Sequence, residues 1–447
     1  SPGVAVEREI AAGETHSYGL ELAAGQYLRA TFAPRGVDVA VKVFGPEGRL
    51  LGEVNEPNRA DWTEVVALVA ETAGGYRFEV RPSAKGQTGG SYRVLIEELR
   101  PAEERDRGHV AAERLFTEGR ALQSRGRAEA YREAIKKYEE ALPLFRKVGD
   151  RHREAATLQY LGNCHHNTGE LRRALQFDAD ALALRRALGD RHREAQTLNS
   201  VCWLHNGLGD LQRALAYCDE AIPLWREVAD LRGEAQALSV VGSVQEQLGE
   251  RQKALEYYLR ALPLTRRAGE RTIEAFTLNN IGWLYHRLTE EQKALEHLNE
   301  ALPIWREVGN AVGEAAALHN MAAVYDSLGD YEKALEYYGQ ALGLQHAAGN
   351  RYGEAQTHNN LGVIHFRLQD HRKALEHYGR ALEFWQTLGN RFEEANTLNN
   401  IGRVNEISGE YGKALDYYNR ALALERAVGR RGGEATTLHN LGDIYIR

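Results

Sequence analysis

The sequence predicts a mainly α protein: a right-handed α-α superhelical solenoid of about eight 40-residue helix pairs, preceded by a small all-β sandwich. Three observations carry this expectation. A Glu-Ala pair returns every 40 residues, from Glu154-Ala155 to Glu434-Ala435, without insertion or deletion. Two alanine combs run in the same register, Ala174 to Ala414 and Ala181 to Ala421. The first 98 residues have another texture, short β-branched and aromatic runs broken by glycine-rich turns. A fixed period of this length is the signature of a stacked array, in which each unit buries its apolar face against its neighbours.

The front region comes first in the chain. Strands are expected at 4–6, 18–22, 27–32, 37–44, 63–69, 76–80 and 92–96. Turn signals such as Gly45-Pro46-Glu47-Gly48 and Gly74-Gly75 separate them. This spacing of short strands argues for a sandwich over 1–98. Residues 99–107 are charged, carry Pro101 and read as a linker. The solenoid is expected over 108–447, its last unit incomplete.

Each unit reads as two helices, A and B. In the sixth, helix A is expected at 351–368 and helix B at 371–388. Gly349 and Gly389 sit where a left-handed residue ends a helix at little cost. The following Asp or Asn, as in Asp150, Asn350 and Asn390, is placed to cap the next helix. The gap from Gly126 to Ala134 is three residues longer than its equivalent from Gly169 to Ala174, which predicts an insertion in the first unit.

Composition narrows the function. The 447 residues carry 56 basic and 63 acidic side chains, net −7, with the signs interspersed. Without a basic block, nucleic acid is not the expected ligand. No apolar run is long enough for a membrane helix. Three cysteines exclude a disulfide scaffold. Cys202 and Cys218, on the two helices of one unit, are expected as buried thiols rather than a disulfide. Cys164-His165-His166 fan over different faces of a helix, so no metal is expected there. No phosphate loop, nucleophile elbow or zincin motif occurs, so neither catalysis nor a cofactor is expected. The opening Ser1-Pro2-Gly3 lacks an initiator Met and fits a removed leader. The expected location therefore stays open between an exported and a cytoplasmic bacterial protein.

Leu361-Gly362, Ala374, Tyr378 and Ala381 resemble the tetratricopeptide signature of large, small, small, aromatic and small residues. The long form, with Thr397 to Gly402 reading Thr-Leu-Asn-Asn-Ile-Gly, is similar to kinesin-light-chain repeats. The front end, with Ala24-Gly25-Gln26-Tyr27-Leu28 and Gly75-Tyr76-Arg77-Phe78-Glu79-Val80, resembles the bacterial pre-peptidase β-sandwich. Together they resemble bacterial proteins that end in a caspase-like CHAT protease domain, here without that domain. The resemblance implies a sensor or scaffold that binds protein.

In such a stack, helix A lines the concave groove. The expected peptide-binding residues are Asn199, Asn279, Asn359 and Asn399, two before the Leu-Gly pair, with Trp203 and Trp283 one after it. His286, Phe366, Arg367 and Arg403 complete the set. Asparagine offers a donor and an acceptor and can hold a peptide backbone without reading its sequence. Trp203, Trp283 and Phe366 would be apolar anchors. The column one before the leucine, Asn280 to Asn440, reads equally as a structural ladder across adjacent A helices. Trp225, Trp305 and Trp385, at the end of helix B, read as packing or outer-surface residues. The Glu-Ala comb reads as local caps or pairs with arginine. The expected partner is a protein or peptide. The alternative is head-to-tail self-assembly through an open solenoid end. A carbohydrate site on the sandwich, involving Trp62, is a weaker third reading.

Overall fold

The computed structural model describes residues 3–54, 63–83 and 89–446; Trp62 lies outside them. The chain divides into two compact units, Ser1–Leu208 and Gly209–Arg447.

The first unit opens with eight strands: β1 (Ala5–Ile10), β2 (His16–Leu22), β3 (Gln26–Arg35), β4 (Val39–Phe44), β5 (Leu50–Val54), β6 (Glu64–Val69), β7 (Gly74–Pro82) and β8 (Gly90–Pro101). They form two antiparallel four-stranded sheets, ordered β1-β8-β3-β6 and β2-β7-β4-β5. Leu28, Phe32 and Tyr92 of one sheet and Val41, Phe78 and Val80 of the other share one buried core. β5 is the strand that the sequence did not announce. Among the described residues it pairs only with β4, its Leu50 and Leu51 are exposed, and Gly52 interrupts its pattern. An edge strand with little buried face leaves little periodicity to read.

The expected linker at 99–107 is corrected. β8 runs to Pro101, and helix α1 (Glu104–Gln123) begins after only Ala102 and Glu103. Pro101 lies beyond the segment that β1 pairs, so its missing N–H breaks no ladder there. The charges that suggested solvent are used locally. Arg100 donates to both carboxylate oxygens of Asp106, at 2.6 and 3.0 Å, and its guanidinium lies over the Tyr27 ring. The Glu103 N–H donates to Asp106 at the helix start. This pairing holds the Asp106 carboxyl below its ordinary pKa.

Four more helices complete the first unit: α2 (Ala128–Val148), α3 (Arg151–Asn167), α4 (Leu171–Leu188) and α5 (Arg191–Gly207). The longer α2 absorbs the insertion of the first repeat. The second unit contains α6 (Leu211–Glu227), α7 (Leu231–Gln247), α8 (Arg251–Ala268), α9 (Arg271–Arg287), α10 (Glu291–Glu307) and α11 (Ala311–Ser327). It continues with α12 (Tyr331–Ala347), α13 (Arg351–Arg367), α14 (His371–Leu388), α15 (Arg391–Ile407), α16 (Tyr411–Ala427) and α17 (Arg431–Ile446). Odd-numbered helices are the A helices and even-numbered ones the B helices. No helix among the described residues is long and apolar enough to cross a membrane.

One dipeptide both ends helix B and starts the next helix A. Gly149 takes φ 72°, and the Asp150 N–H donates to the Phe145 carbonyl. Asp150 then accepts the Arg153 N–H as N-cap of α3. Asn310, Asn350 and Asn390 cap α11, α13 and α15 in the same way.

Packing inside a pair needs a small residue on helix A opposite a large one on helix B. A Cβ at Gly362 would stand 2.6 Å from Tyr378, and one at Gly402 2.6 Å from Tyr418. Both tyrosines are buried, each stabilising its repeat by about 1.5–3 kcal/mol. Between pairs the same rule explains the tryptophans of helix B. Trp225 and Trp305 lie directly over Gly233 and Gly313 of the next helix A, while Thr265, between them in sequence, comes eight residues before Ile273. Trp385 is also buried, edge-on to Tyr352.

Candidate functional site

On each A helix the two positions before the Leu-Gly pair and those after it do different work. In the second unit the earlier positions face the neighbouring repeat. Asn320 donates to the Asn279 side-chain carbonyl at 3.2 Å, and Asn400 to that of Asn359 at 3.4 Å. Asn360 donates to the Tyr338 hydroxyl at 3.1 Å and to His319 Nε2 at 3.3 Å. Because His319 Nε2 accepts, its proton sits on Nδ1, which donates to the Thr357 hydroxyl at 3.0 Å. That hydroxyl in turn donates to Gln345 at 2.9 Å. Asn399 donates to Thr437 at 2.6 Å and to the buried Glu425 at 3.2 Å. Each such bond contributes on the order of 1 kcal/mol, and losing one partner costs more than the bond is worth.

The later positions form a different surface. Trp283 is half-buried, with the Arg287 guanidinium 5.8 Å from its ring centroid. Its indole hydrogen-bonds Glu246, whose carboxyl burial nevertheless pushes above its usual pKa. His286 bonds Glu291 at 2.8 Å, and Glu291 also accepts from Ser327 at 2.6 Å. Asp326 is likewise raised by burial, against the pull of the Arg367 guanidinium that it holds. A cleft of about 300 Å³ follows, lined by Val363, Phe366, Arg367, Tyr378, Asn400 and Arg403. Val363, Phe366 and Tyr378 give it apolar walls. Arg403 lies over the Phe366 ring at 5.7 Å.

Five matched segments, 111–187, 193–267, 252–307, 273–347 and 353–427, fit the tetratricopeptide repeat family model and together span more than half of the chain. The chain belongs to the tetratricopeptide repeat family. Among solved structures it is similar to the apo form of the quorum sensor NprR from B. thuringiensis, with 14% identity, TM-score 0.57, and 72% of this chain and 88% of that one covered. It is also similar to a Rap protein complexed with competence and sporulation factor, with 15% identity, TM-score 0.50, and 73% and 99% covered. A STAND protein with a tetratricopeptide repeat sensor from Pyrococcus horikoshii shows 15% identity, TM-score 0.52, and 78% and 55% covered. At these identities the likeness is one of fold. No curated protein matches the chain in sequence.

Within the tetratricopeptide array the expected site divides. Phe366, Arg367 and Arg403 meet in the cleft, and Trp283 and His286 belong to the same set of positions on α9. The expectation for Asn279, Asn359 and Asn399 is corrected: Asn279 is buried, and all three are bonded into the ladder between repeats. The reason is angular. Two residues before the leucine, a side chain has turned from the open face toward the adjacent A helix. Asn279, Asn320, Asn359, Asn360, Asn399 and Asn400 thus bond between repeats, at both positions before the Leu-Gly pair. Sequence reading missed Tyr378 as a cleft wall, since its signature position marks it as core, and missed Asp326 as the partner of Arg367. The recurrence of an acid and a base 41 residues apart was the available signal.

In the first unit Asn199 is half-buried, whereas Trp203 is 44% exposed with its ring edge-on to His166, centroids 4.4 Å apart. His165 is buried and stacks on Phe177. Cys164 is a free buried thiol, its pKa pushed up to about 12 by burial. Cys202, in the first unit, and Cys218, in the second, are each fully buried. His109, Glu113 and Asp150 are the one grouping of three or more potential metal ligands among the described residues. Arg153 holds Glu113 at 2.6 Å and His109 bonds Asp150 at 3.0 Å, so these groups tie α1 to α3 as an ion-pair network.

Proposed function

We propose that this chain is a peptide-binding scaffold, and that the A-helix positions after the Leu-Gly pair in its second unit are the binding surface. The cleft carries the reading. It brings an aromatic ring, a buried phenol, an amide and two guanidinium groups to one place on an otherwise charged surface, the mixture of apolar lining and few polar groups that suits a bound side chain. Trp283, half-buried on the equivalent face of α9, offers a second anchor. Trp203 offers an exposed aromatic on the first unit. The folds of the quorum sensor NprR and of the Rap protein in complex with its factor support a ligand-binding role for such an array. Binding a segment of another protein fits the further reading of the chain as the sensing part of a regulatory protein.

Phage-displayed peptides panned against the intact chain test this. Wild type should enrich a consensus, and Phe366→Ala with Trp283→Ala should abolish that enrichment while leaving the far-ultraviolet circular dichroism unchanged. Equal enrichment by the double variant would remove the binding surface from this face.

A further inference from the structure

We propose that His358 and His377, on the two helices of one pair, α13 and α14, hold a divalent transition cation of the zinc and copper class through their Nδ1 atoms. Neither residue lines the cleft, so the site stands apart from peptide binding.

The repeat marks His358 as out of place. Its equivalents Leu158, Leu198, Leu238, Leu278, Leu318 and Leu398 are all buried core. His358 is itself only 4% exposed. An imidazole brings two ring nitrogens into a space built for leucine, which costs free energy unless they find partners. Its Nδ1 lies 3.0 Å from Nδ1 of His377. His377 stands where Tyr217, Tyr257, Tyr337 and Tyr417 stand in other repeats. His297 occupies the same column in a repeat that keeps Leu278, and its buried Nδ1 has no hydrogen-bond partner among the described residues. The second histidine of the pair is therefore what turns this column into a two-nitrogen site.

The spacing is that of adjacent metal ligands. Metal–imidazole bonds of about 2.0–2.1 Å, at angles between square and tetrahedral, put neighbouring nitrogens about 2.8–3.4 Å apart. Each ring plane is fixed by a stacking partner. His365 lies against His377 with centroids 5.3 Å and planes 5° apart, and Phe384 against His358 at 6.2 Å and 18°. Burial lowers the pKa of His358 and His377, so both rings are neutral at pH 7, the form that ligates a metal. Without the ion, one Nδ1–H donates to the other Nδ1. On binding, that proton passes to Nε2 of its own ring, the ion takes both Nδ1 lone pairs, and nothing is oxidised or reduced. Glu376, whose charge both rings feel, is held by Arg380 at 2.9 Å. A purely imidazole donor set selects zinc, copper or nickel over magnesium and calcium, which take oxygen ligands. His377 is only half-buried, which leaves a side from which water completes the coordination.

Zn²⁺ titrated into the intact, untagged chain at pH 7.5, read by calorimetry, tests this. Wild type should bind one tight equivalent that excess Mg²⁺ does not displace. His358→Leu and His377→Tyr introduce the residues of neighbouring repeats, which these positions accommodate, and each should weaken that equivalent at least about tenfold. His109→Gln, in the ion-pair network of the first unit, should leave it unchanged. Zn²⁺ should raise the thermal midpoint of wild type and not that of His358→Leu. With Cu²⁺ in place of Zn²⁺, electron paramagnetic resonance should show coupling to two imidazole nitrogens, reduced in His377→Tyr. No tight equivalent, equal affinity in His358→Leu and His377→Tyr, or loss of binding in His109→Gln alone would overturn the site.

Discussion

Arg306 and Glu314, eight residues apart across the turn from α10 to α11, meet through Nε and Oε1 at 2.7 Å. The same pair joins Arg146 to Glu154, Arg226 to Glu234, Arg266 to Glu274 and Arg426 to Glu434. The Glu-Ala comb is therefore a register mark: the alanine packs and the glutamate fixes where helix B of one repeat meets helix A of the next. The comb weakens at His346–Glu354 and Gln386–Glu394. Half-exposed pairs of this kind are worth about 0.2–1 kcal/mol each. Arg306→Gln should lower the unfolding free energy measured in urea by that amount, and Gln386→Arg, which restores the comb, should raise it. No change in either variant would reduce the comb to geometry without energy.

Trp305 and Gly313 make a volume pair that predicts strong non-additivity. Gly313→Ala drives a methyl group into the indole and should cost about 1–3 kcal/mol. Trp305→Leu should be destabilising through lost contact. In the double variant the alanine meets a smaller side chain, so the combined loss should be less than the sum of the two. A double-mutant cycle in urea reads this directly, and strict additivity would mean that the pair does not share its space.

The repeat, its period, both helices of each pair and their caps were legible because each rests on local chemistry: a Gly-Asp or Gly-Asn turn, an alanine where helices touch, a hydrophobic face. The sandwich strands were legible except β5, whose burial is too slight to leave a pattern. In the cleft, Phe366 and Arg403 stand in two columns that the 40-residue period places on one face of helix A, although neither residue type repeats in its column. The asparagines could not be placed, because a side chain that bonds across repeats and one that faces open solvent occur at adjacent helical positions and have the same composition. Only the rotation of the helix against its neighbour separates them, and that is a property of packing. Asn359→Ala should accordingly cost about 1–2 kcal/mol of stability and leave peptide affinity unchanged at protein concentrations and temperatures where the chain is folded. Lost affinity with unchanged stability would return Asn359 to the binding surface.

Burial of histidines within the second unit predicts acid sensitivity. His319, bonded on both nitrogens, and His358, whose Nδ1 lies 3.0 Å from that of His377, have pKa values lowered to about 4 by burial. The unfolded chain protonates these rings near 6.5. Between those values the unfolded state binds protons that the folded state refuses, so stability is full above about pH 6.5 and falls toward pH 4. For the buried His358 the loss is on the order of 2 kcal/mol. Asp178, in the first unit, is raised to about 7 by burial and acts in the opposite direction. Comparison of wild type with His358→Gln isolates the histidine: the difference between their urea midpoints should shrink as pH falls from 7.5 to 4.5. A constant difference would show that His358 does not titrate in this window.

Ala229 occupies a left-handed turn, φ 54°, where the equivalent positions Gly149, Gly189, Gly269 and Gly309 have glycine. Its Cβ pays about 1–2 kcal/mol for that conformation, partly offset by the greater freedom that glycine has in the unfolded chain. Thr289 and Gln369 stand in the same predicament at the turns from helix A to helix B, where Gly249, Gly329 and Gly409 are the rule. Ala229→Gly should therefore stabilise the chain by about 0.5–1 kcal/mol, opposite in sign to the usual effect of introducing glycine. The caps beside it argue for the same outcome, since the Asp230 N–H donates to the Trp225 carbonyl and its side chain accepts the Gly233 N–H, a geometry that requires the turn to stay left-handed. A rise in thermal midpoint checks this, and a fall would mean that the turn relaxes to another conformation in solution.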